Sequence, residues 1–463
     1  MDRDVLMPLL LEAVSRDNIL PLTSACNARC VFCSHHQNPR GTCAYIFSHL
    51  PEDLLDELLS YLDRERKIVI GESSSRLCEG EPLTHPFFFD LLEKVRELYP
   101  RTPVQVTTNA MLLDDQALTR LEQVQGEIAL GGSPLLELVI SLNCVSVRQR
   151  WEIMGDPDPG KTLGNVQALR KKGFLFHGSI VALPHLTGWN ELGETLQFLD
   201  CAGARTTRVF LPGFTCMSKK DLQFSARLWG QLHEFLENQA EKIGHPVTME
   251  PPLKNELEAR VEGVIQGSSA WQAGIRRKDL LQRVNGQRVY SAAEAFYRIQ
   301  EAASPQVELQ RRRLNERITS FSFIMEKEPG EPSGLVLARD LEPHDLEAVA
   351  GELERSKAQN PLLLTSKLAE VLWISAREQG LAPERLTVHG VGSHFFGGNI
   401  ACAGLLTVSD FSRDLEALCR SERWPYDLVM LPQKPFDRKG HDLQGRHYRD
   451  LITSFPHVIF SFL

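Results

Sequence analysis

The sequence has no long hydrophobic run and no excess of positive charge. The apolar stretch around Leu9–Leu11 is far shorter than the roughly 20 residues of a membrane-spanning helix, which predicts neither a signal peptide nor a membrane anchor. Lysine and arginine total 51 against 60 aspartates and glutamates, a net charge of −9 that disfavours a nucleic-acid partner. The 463 residues indicate a soluble, cytoplasmic protein of about two to four domains.

A pattern of paired cysteines is also missing. Of the ten cysteines, three crowd together at Cys26, Cys30 and Cys33 and the others are scattered, whereas a disulfide scaffold would need pairs. Chance would produce this spacing only about 0.005 times in a chain of this composition. The sequence contains no serine–histidine–aspartate order, phosphate-loop glycine pattern or zinc-protease motif that would indicate another chemistry. Thiolates in a reducing compartment indicate a bound metal.

Short apolar runs alternate with amphipathic helical stretches up to about residue 252, as is typical of parallel α/β sheets. Strands are predicted at Ile19–Thr23, Lys67–Ile70, Val104–Thr108, Leu138–Leu142, Ser179–Leu183 and Arg208–Leu211. Helices are predicted between them at Glu52–Arg64, Phe87–Leu98, Asp114–Gln125, Leu163–Lys172, Leu192–Cys201 and Ala226–Ile243. These repeats predict a partial (β/α)6 barrel over residues 1–252, with an open doubly wound sheet as the alternative.

Two further units are expected after Pro251-Pro252, which interrupts the alternating pattern. The turn signal Asn285-Gly286 between β-like runs predicts a small, mostly-β unit over residues 253–330. The proline- and glycine-rich stretch at Glu328–Gly334 is expected to be a linker. A C-terminal α/β unit is expected over residues 331–463.

The three clustered cysteines can bind one cofactor from a single loop, because spacers of three and two residues let the backbone curl round it. Three thiolates leave one iron of a 4Fe–4S cluster open to a small molecule. Zinc is the alternative metal, with His35 or His36 as the fourth ligand. Since the loop follows the first predicted strand, it is expected at the carboxyl end of the barrel, where such folds place active sites.

This loop resembles the radical S-adenosylmethionine (SAM) superfamily, whose hallmark is the same spacing with an aromatic residue, here Phe32, before the last cysteine. The resemblance implies that Cys26, Cys30 and Cys33 hold a 4Fe–4S cluster whose open iron is chelated by SAM. One electron would then cleave SAM to methionine and a 5′-deoxyadenosyl radical that abstracts hydrogen from a substrate. Oxygen sensitivity and an electron donor such as flavodoxin or ferredoxin are implied as well.

A second motif carries the same resemblance. Glu79-Gly80-Glu81-Pro82 looks like the superfamily's Gly-Gly-Glu-Pro segment, which receives the SAM amino group, although Glu79 stands where glycine is usual. An ammonium needs acceptors, which backbone carbonyls and a carboxylate supply. The resemblance extends the expected SAM contacts to residues at later strand ends, namely Asn109, Ser141, Asn143, Val181 and Leu211.

The middle unit resembles a bacterial PDZ domain through Gly267-Ser268-Ser269-Ala270, Ala273-Gly274-Ile275 and Val284-Asn285-Gly286. PDZ domains bind peptide C-termini, but the expected carboxylate loop, Asn255–Ala259, carries two glutamates, which favours docking or a structural role.

The segment Phe395–Thr407 resembles the C-terminal domain of radical SAM proteins that carry a PDZ unit, usually placed first in the chain. Its Phe-Phe-Gly-Gly run predicts either a ligand-gripping loop or a tight turn.

Three other cysteines, Cys78, Cys144 and Cys216, fall at or just past predicted strand ends. They are candidates for a second iron–sulfur cluster or a hydrogen-atom donor, with ordinary burial as the alternative. The sequence thus predicts a radical SAM enzyme of unknown substrate, with a protein, peptide or metalloprotein partner favoured over a free metabolite. Radical methyl transfer and a non-catalytic, metal-binding PDZ adaptor are the alternatives.

Overall fold

The computed structural model describes residues 3–74, 76–126, 135–312, 317–421 and 424–463. The first unit contains strands β1 Ile19–Leu20, β2 Ile68–Ile70, β3 Val104–Thr108, β4 Leu136–Ser141, β5 Phe176–Val181, β6 Thr207–Phe210 and β7 Val247–Glu250. Its helices are α1 Arg3–Glu12, α2 Glu52–Leu59, α3 Phe88–Leu98, α4 Asp115–Val124, α5 Val147–Gln149, α6 Pro159–Lys171, α7 Pro184–Thr187, α8 Trp189–Ala202 and α9 Arg227–Gln239. Across the described ranges, no helix combines the length and the apolar character needed to cross a bilayer.

The seven strands form one parallel sheet in chain order, from β1 at one edge to β7 at the other. A doubly wound sheet would reverse its strand order in the middle, so the alternative topology is excluded. Connections that all step in one direction place the helices on one face of the sheet and curl it into a partial barrel. The carboxyl ends of all seven strands therefore meet at one rim.

The sheet differs from the sequence prediction at both of its edges. A seventh strand, β7, ends directly before Pro251-Pro252, the point where the prediction placed a boundary. At the other edge, β1 ends at Leu20 and not at Thr23, because the N–H groups of Leu22 and Thr23 bond the carboxylate of Glu79 instead of β2.

Helical periodicity fixes how the first unit buries its core. In α2, Leu54 and Leu55 each lie one helical turn from Leu58, and all three face inward and are at most 5 % exposed. In α4, Asp114 caps the helix by accepting from the N–H of Ala117 at 3.1 Å. These helices pack onto the strand residues of the same core, which includes Ile68, Val104 and Leu138.

The middle unit contains β8 Val261–Val264, α10 Ser269–Gln272, β9 Leu280–Val284, β10 Gln287–Arg288, α11 Ala292–Glu301, β11 Gln306–Arg312, β12 Ile318–Ile324 and β13 Leu335–Leu337. Four strands form an antiparallel sheet in the order β10-β9-β11-β12, and β8 pairs with β13. Because β13 lies beyond residue 330, this unit draws on residues from both sides of the predicted limit.

The C-terminal unit contains α12 Pro343–Ser356, β14 Pro361–Ser366, α13 Lys367–Glu378, β15 Thr387–Val391, α14 Val408–Ser421, β16 Leu428–Leu431, α15 Arg449–Ser454 and β17 Ile459–Phe462. Its parallel sheet has the order β15-β14-β16-β17. Alternate residues of β14 face opposite sides: Leu363 packs with α12 and α13, whereas Leu362 and Leu364 pack with α14 and α15. The α/β class and the mostly-β middle unit are thus as the sequence predicted.

Candidate functional site

The cysteine loop lies directly after β1, at the rim of the sheet. Two backbone bonds fasten it to the turn Arg150–Met154: the N–H of Arg29 donates to the carbonyl of Met154 at 2.7 Å and that of Val31 to Ile153 at 2.9 Å. Cys26 is exposed, and Cys30 and Cys33 are half-buried. The loop therefore presents its sulfurs from a fixed backbone.

Burial raises the pKa of all three thiols, and that of Cys30 to about 12, although the positive charge of Arg150 opposes the rise. A cysteine binds metal as a thiolate, so a metal at this loop would have to supply the positive charge that ionises these cysteines. Within the described residues, no group of three or more His, Cys, Asp or Glu side chains is arranged to hold a single metal ion.

Gln37 connects this loop to the far side of the sheet, a role that sequence reasoning missed. Its side-chain amide donates to the carbonyl of Phe32 at 2.9 Å. From the loop after β6, the hydroxyl of Thr215 donates to the Gln37 carbonyl and that of Ser218 to its side-chain oxygen. A buried glutamine (5 % exposed) thus fixes the last turn of the cysteine loop.

The segment Glu79–Pro82 lies alongside the cysteine loop. The N–H of Gly80 donates to the carbonyl of Thr23 at 2.7 Å, and that of Glu81 to Ala25 at 2.8 Å. A Cβ on Gly80 would stand 2.0 Å from the Ala25 oxygen, so only glycine fits between the two loops. The close approach of the two backbones therefore occurs at Gly80, the one glycine of this segment.

The two glutamates of this segment make different bonds. Glu81 uses both carboxylate oxygens within the protein, accepting from the hydroxyl of Thr108 at 2.6 Å and the N–H of Asn109 at 2.8 Å. Glu79 accepts from the N–H groups of Leu22 and Thr23 with Oε1, and its buried Oε2 has no partner. The free acceptor is therefore on the residue that departs from the family pattern.

The remaining expected SAM contacts lie at successive strand ends. Asn109 donates through Nδ2 to the Asn27 side chain at 2.7 Å, which connects β3 to the cysteine loop. Asn143 accepts from the N–H of Val181 at 2.6 Å, which connects β4 to β5. Ser141 ends β4 half-buried and points to no partner among the described hydrogen bonds. Asn109 and Asn143 therefore connect neighbouring segments of the rim, and of the expected SAM contacts at later strands only Val181 and Leu211 line the cavity at this rim.

A cavity of about 570 Å³ opens at this rim. Cys30, Phe32 and Cys33 line one side of it, and Val181 and Leu211 line the other. The C-terminal unit contributes further lining residues, namely Phe396, Ile400, Leu405 and Leu443. A volume in the range of about 300–1,000 Å³ accommodates a small organic ligand.

The Phe-Phe-Gly-Gly-Asn run closes this cavity by docking onto the loop after β6. Asn399 accepts from the N–H of Phe214 at 2.7 Å, returns its own N–H to the Phe214 carbonyl at 3.1 Å, and donates its side chain to Pro212 at 2.9 Å. Gly397 and Gly398 have φ of 63° and 62°. The motif is therefore an intramolecular docking turn, which sequence reasoning could not place because its partner lies far away in the chain.

The three additional cysteines occupy different surroundings. Cys78 lines the cavity of about 570 Å³ beside the cysteine loop, which we call the cluster cavity. It is buried, which raises the pKa of its thiol to about 11. Cys144 is fully buried in a small apolar group with Met111 and Met154. Cys216 is exposed, and its N–H donates to the carbonyl of Phe396. Of the three, only Cys78 borders the cavity.

Replacing Arg150 by methionine is expected to lower the free energy of unfolding by about 3–5 kcal/mol. Arg150 and Asp156 form an ion pair at 2.7 Å in which both side chains are at most 1 % exposed, so the variant buries an unpaired carboxylate. Urea denaturation measures the change. Arg148→Met, two residues away, removes an exposed ion pair with Glu152 and should leave the unfolding midpoint unchanged. Equal midpoints for both variants would contradict the prediction.

The stability of the protein should also fall as pH rises. Burial raises the pKa of Glu79 to about 8 and that of Glu81 to about 7. Because these values exceed the ordinary glutamate pKa of about 4.3, the folded protein keeps protons that the unfolded chain releases. The resulting stability is complete below about pH 4 and is lost as pH approaches 8, at up to about 1.4 kcal/mol per pH unit for each group.

Glu79→Gln should flatten this dependence, because glutamine keeps the oxygen that accepts from Leu22 and Thr23 and cannot ionise. Urea midpoints at several pH values between about 5 and 8.5 measure the slope. The exposed Glu65→Gln provides the control and should retain the wild-type slope. An unchanged slope in Glu79→Gln would show that Glu79 is already ionised in the folded protein.

The residues at this site fit a cluster with SAM better than they fit zinc. Three thiolates match a 4Fe–4S cluster with one open iron, whereas a structural zinc ion takes four protein ligands. Two buried polar atoms have no partner: Nη2 of Arg150, a donor close enough to influence Cys30, and Oε2 of Glu79, an acceptor. SAM carries one carboxylate and one ammonium, the groups that such atoms would bind.

Comparisons with known proteins agree with this geometry. Residues 20–199 match the radical SAM superfamily, and residues 260–313 match the PDZ domain. A GTP 3′,8-cyclase of Microcystis aeruginosa is 29 % identical over 160 residues, which are 34 % of this chain and 44 % of the relative. The enzyme of that name from Pseudomonas savastanoi pv. phaseolicola is 24 % identical over 195 residues, 41 % of this chain and 53 % of the relative. The chain thus spans about half the length of these relatives.

Solved structures with a similar arrangement include SuiB of Streptococcus suis. Its complex with S-adenosylmethionine has a TM-score of 0.36 and 17 % identity, covering 53 % of this chain and 54 % of that one. Its complex with the precursor peptide SuiA has a TM-score of 0.37 and 17 % identity, covering 50 % and 48 %. The chain therefore carries a radical SAM domain over residues 20–199, followed by a PDZ domain over residues 260–313.

Proposed function

We propose that the protein is a radical SAM enzyme that binds a 4Fe–4S cluster through Cys26, Cys30 and Cys33 and cleaves SAM reductively. The observation that carries this proposal is the single cavity shared by the cysteine loop and the ends of β5 and β6. When bound, the cluster supplies one electron to SAM, which separates into methionine and a 5′-deoxyadenosyl radical. That radical would take a hydrogen atom from the substrate.

The chain's own residues would bind and orient SAM. Glu79 would lose its proton when the SAM ammonium binds, so that Oε2 and the backbone carbonyls beside Gly80 accept from that ammonium, and Arg150 would donate towards an anionic group at the cysteine loop. Asn109, Ser141 and Asn143 would contact its ribose end, with Val181 and Leu211 flanking the adenine. Glu81 acts through Thr108 and Asn109 as a positioning residue, since both of its oxygens are already bonded.

The substrate group has to be small where the reaction occurs. SAM and the reacting group share about 570 Å³, and the docked C-terminal unit closes one side of that space. A small molecule, or one side chain of a protein partner, meets this limit. Since the curated relatives are named GTP 3′,8-cyclase, GTP is the first small molecule to test as a substrate. Flavodoxin and ferredoxin are the electron donors to test with it.

The PDZ domain supports a docking role more than capture of a peptide C-terminus. In the predicted carboxylate loop, Leu257 is buried against the C-terminal unit. Its N–H donates to Ser375 of α13, and its carbonyl accepts from Gln379, directly after that helix. Glu258 forms an ion pair with Arg260. The backbone groups of Leu257 are therefore already used within the protein, which favours a protein partner that binds elsewhere on the domain.

Anaerobic reconstitution tests the proposed reaction. The full chain, loaded with iron and sulfide, is expected to turn brown, contain about four irons, and form 5′-deoxyadenosine from SAM and dithionite. The Cys26→Ala, Cys30→Ala, Cys33→Ala variant should lose both properties, whereas the exposed Cys201→Ala, Cys419→Ala pair should keep them.

Other products would indicate another function. S-Adenosylhomocysteine in place of 5′-deoxyadenosine would indicate methyl transfer, and a colourless protein with bound zinc would indicate the adaptor. Iron retained by the triple variant would indicate a second cluster, for which Cys78 is the best-placed ligand because it lines the same cavity. No iron and no SAM cleavage in the wild-type protein would overturn the proposal.

A further inference from the structure

The C-terminal unit has a cavity of its own, of about 520 Å³, at the carboxyl ends of β14 and β16. From β14 the chain passes through α13 to β15 on one side and then crosses through α14 to β16 on the other. The winding therefore reverses between β14 and β16. Parallel α/β sheets bind their ligands in the crevice at such a switch point.

The charges in this crevice favour an anion. Its lining has two aspartates, Asp340 and Asp345, of which Asp340 is bound by Lys254 at 3.1 Å. Four basic side chains outnumber them, namely Lys254, Arg339, Lys367 and Lys434. Lys367 follows β14 and Lys434 follows β16, and both are exposed. Neither lysine forms an ion pair with any residue that the structure describes. Two free ammonium groups thus stand at the two strand ends that border the switch point.

The opposite wall of the crevice is apolar. The first unit contributes Trp229 and Pro252, and α13 contributes Leu372. An inorganic anion would leave this wall bare, whereas a phosphate ester with a ring would cover it. This cavity shares no lining residue with the cluster cavity, although Ala403 borders one and Leu405 borders the other.

We propose that this crevice is a binding site for a small molecule of the nucleotide class, in which the phosphate contacts Lys367 and Lys434 and the ring lies against Trp229 and Leu372. The site is separate from the SAM site and does not depend on the reaction proposed above. It would give the C-terminal unit a ligand of its own beyond its contribution to the cluster cavity.

Calorimetric titration of the reconstituted full chain with ADP tests this site. Saturating SAM is present so that the cluster cavity is filled, and any affinity tag is placed at the N-terminus because Leu463 lines the crevice. ADP is expected to bind, and adenosine is expected to bind about tenfold more weakly. Added salt should lower the affinity for ADP more than the affinity for adenosine. Inorganic phosphate alone should bind more weakly than ADP.

Two variants separate this site from others. The double variant Lys367→Met, Lys434→Met should bind ADP about tenfold more weakly than the wild type, and no more tightly than it binds adenosine. Lys439→Met, on an exposed neighbouring loop, should leave the affinity for ADP unchanged. Val371→Trp should block both probes, and because Val371 is 38 % exposed this variant is expected to fold. The proposal is overturned if ADP does not bind the wild-type chain, or binds the lysine variant equally well.

Discussion

Replacing Gly80 by alanine is expected to remove most of the iron that the protein can bind while leaving its secondary structure in place. The added Cβ would stand 2.0 Å from the Ala25 carbonyl oxygen and 2.7 Å from the Ser24 carbonyl carbon, both backbone atoms that cannot rotate away. The two loops would have to separate, which breaks the bonds from Gly80 to Thr23 and from Glu81 to Ala25. The cysteine loop would then lose the support that fixes its sulfurs.

The expected cost is about 2–4 kcal/mol in unfolding free energy, since two buried hydrogen bonds are lost and a clash is added. Iron and sulfide content after anaerobic reconstitution measures the main effect, and far-UV circular dichroism confirms that the sheet remains. The matched control is Gly164→Ala in α6, where the Cβ meets nothing within 4 Å and alanine should stabilise the helix. Full iron content in Gly80→Ala would refute the proposed role of this close approach.

Gly398→Ala is expected to detach the docking turn and open the cluster cavity. At Gly398 the backbone has φ of +62°, and a Cβ would lie 2.0 Å from the Phe214 carbonyl oxygen. Strain of about 1–3 kcal/mol at such a position would displace the turn, and the three bonds of Asn399 to Pro212 and Phe214 would go with it. Phe396 and Ile400 would then no longer close the cavity.

An opened cavity should admit oxygen and water to the cluster. The brown absorbance of the reconstituted variant is expected to bleach several-fold faster in air than that of the wild type, while SAM cleavage under anaerobic conditions continues. Asn399→Ala should behave similarly, because it removes two of the side-chain bonds of the same turn. Gly404→Ala is the control, since its Cβ meets nothing within 4 Å. Equal bleaching rates would show that the C-terminal unit does not protect the site.

Most of the α/β repeat could be predicted from periodicity, and the exceptions have local causes. β3 is found at the predicted residues Val104–Thr108, because its alternating apolar residues are buried on one face. β1 is shorter than predicted because a side chain from another loop takes its last N–H groups. β7 was missed because four residues ending at a proline pair carry too little pattern to distinguish a strand from a linker.

The sequence placed Gly80 in a motif beside the cysteine loop, but neither its contact with Ala25 nor the partners of the polar residues near it could be predicted. Local spacing identifies Cys26, Cys30 and Cys33 as one group because they share a loop. Gln37 and Asn399 act through contacts with residues far away in the chain. No local pattern distinguishes such residues from ordinary surface polar groups.

By itself, the sequence determined which reactive groups lie together, namely three sulfurs in one loop and a Gly-Glu-Pro turn, because short spacers keep such groups close. It also determined that two further units follow the first. Only the tertiary structure decided what closes the cavity, which glutamate keeps a free oxygen, and where the sheet of the C-terminal unit reverses its winding. These features depend on contacts between residues up to hundreds of positions apart. Such contacts are fixed by the packing of whole units and leave no periodic trace in the chain.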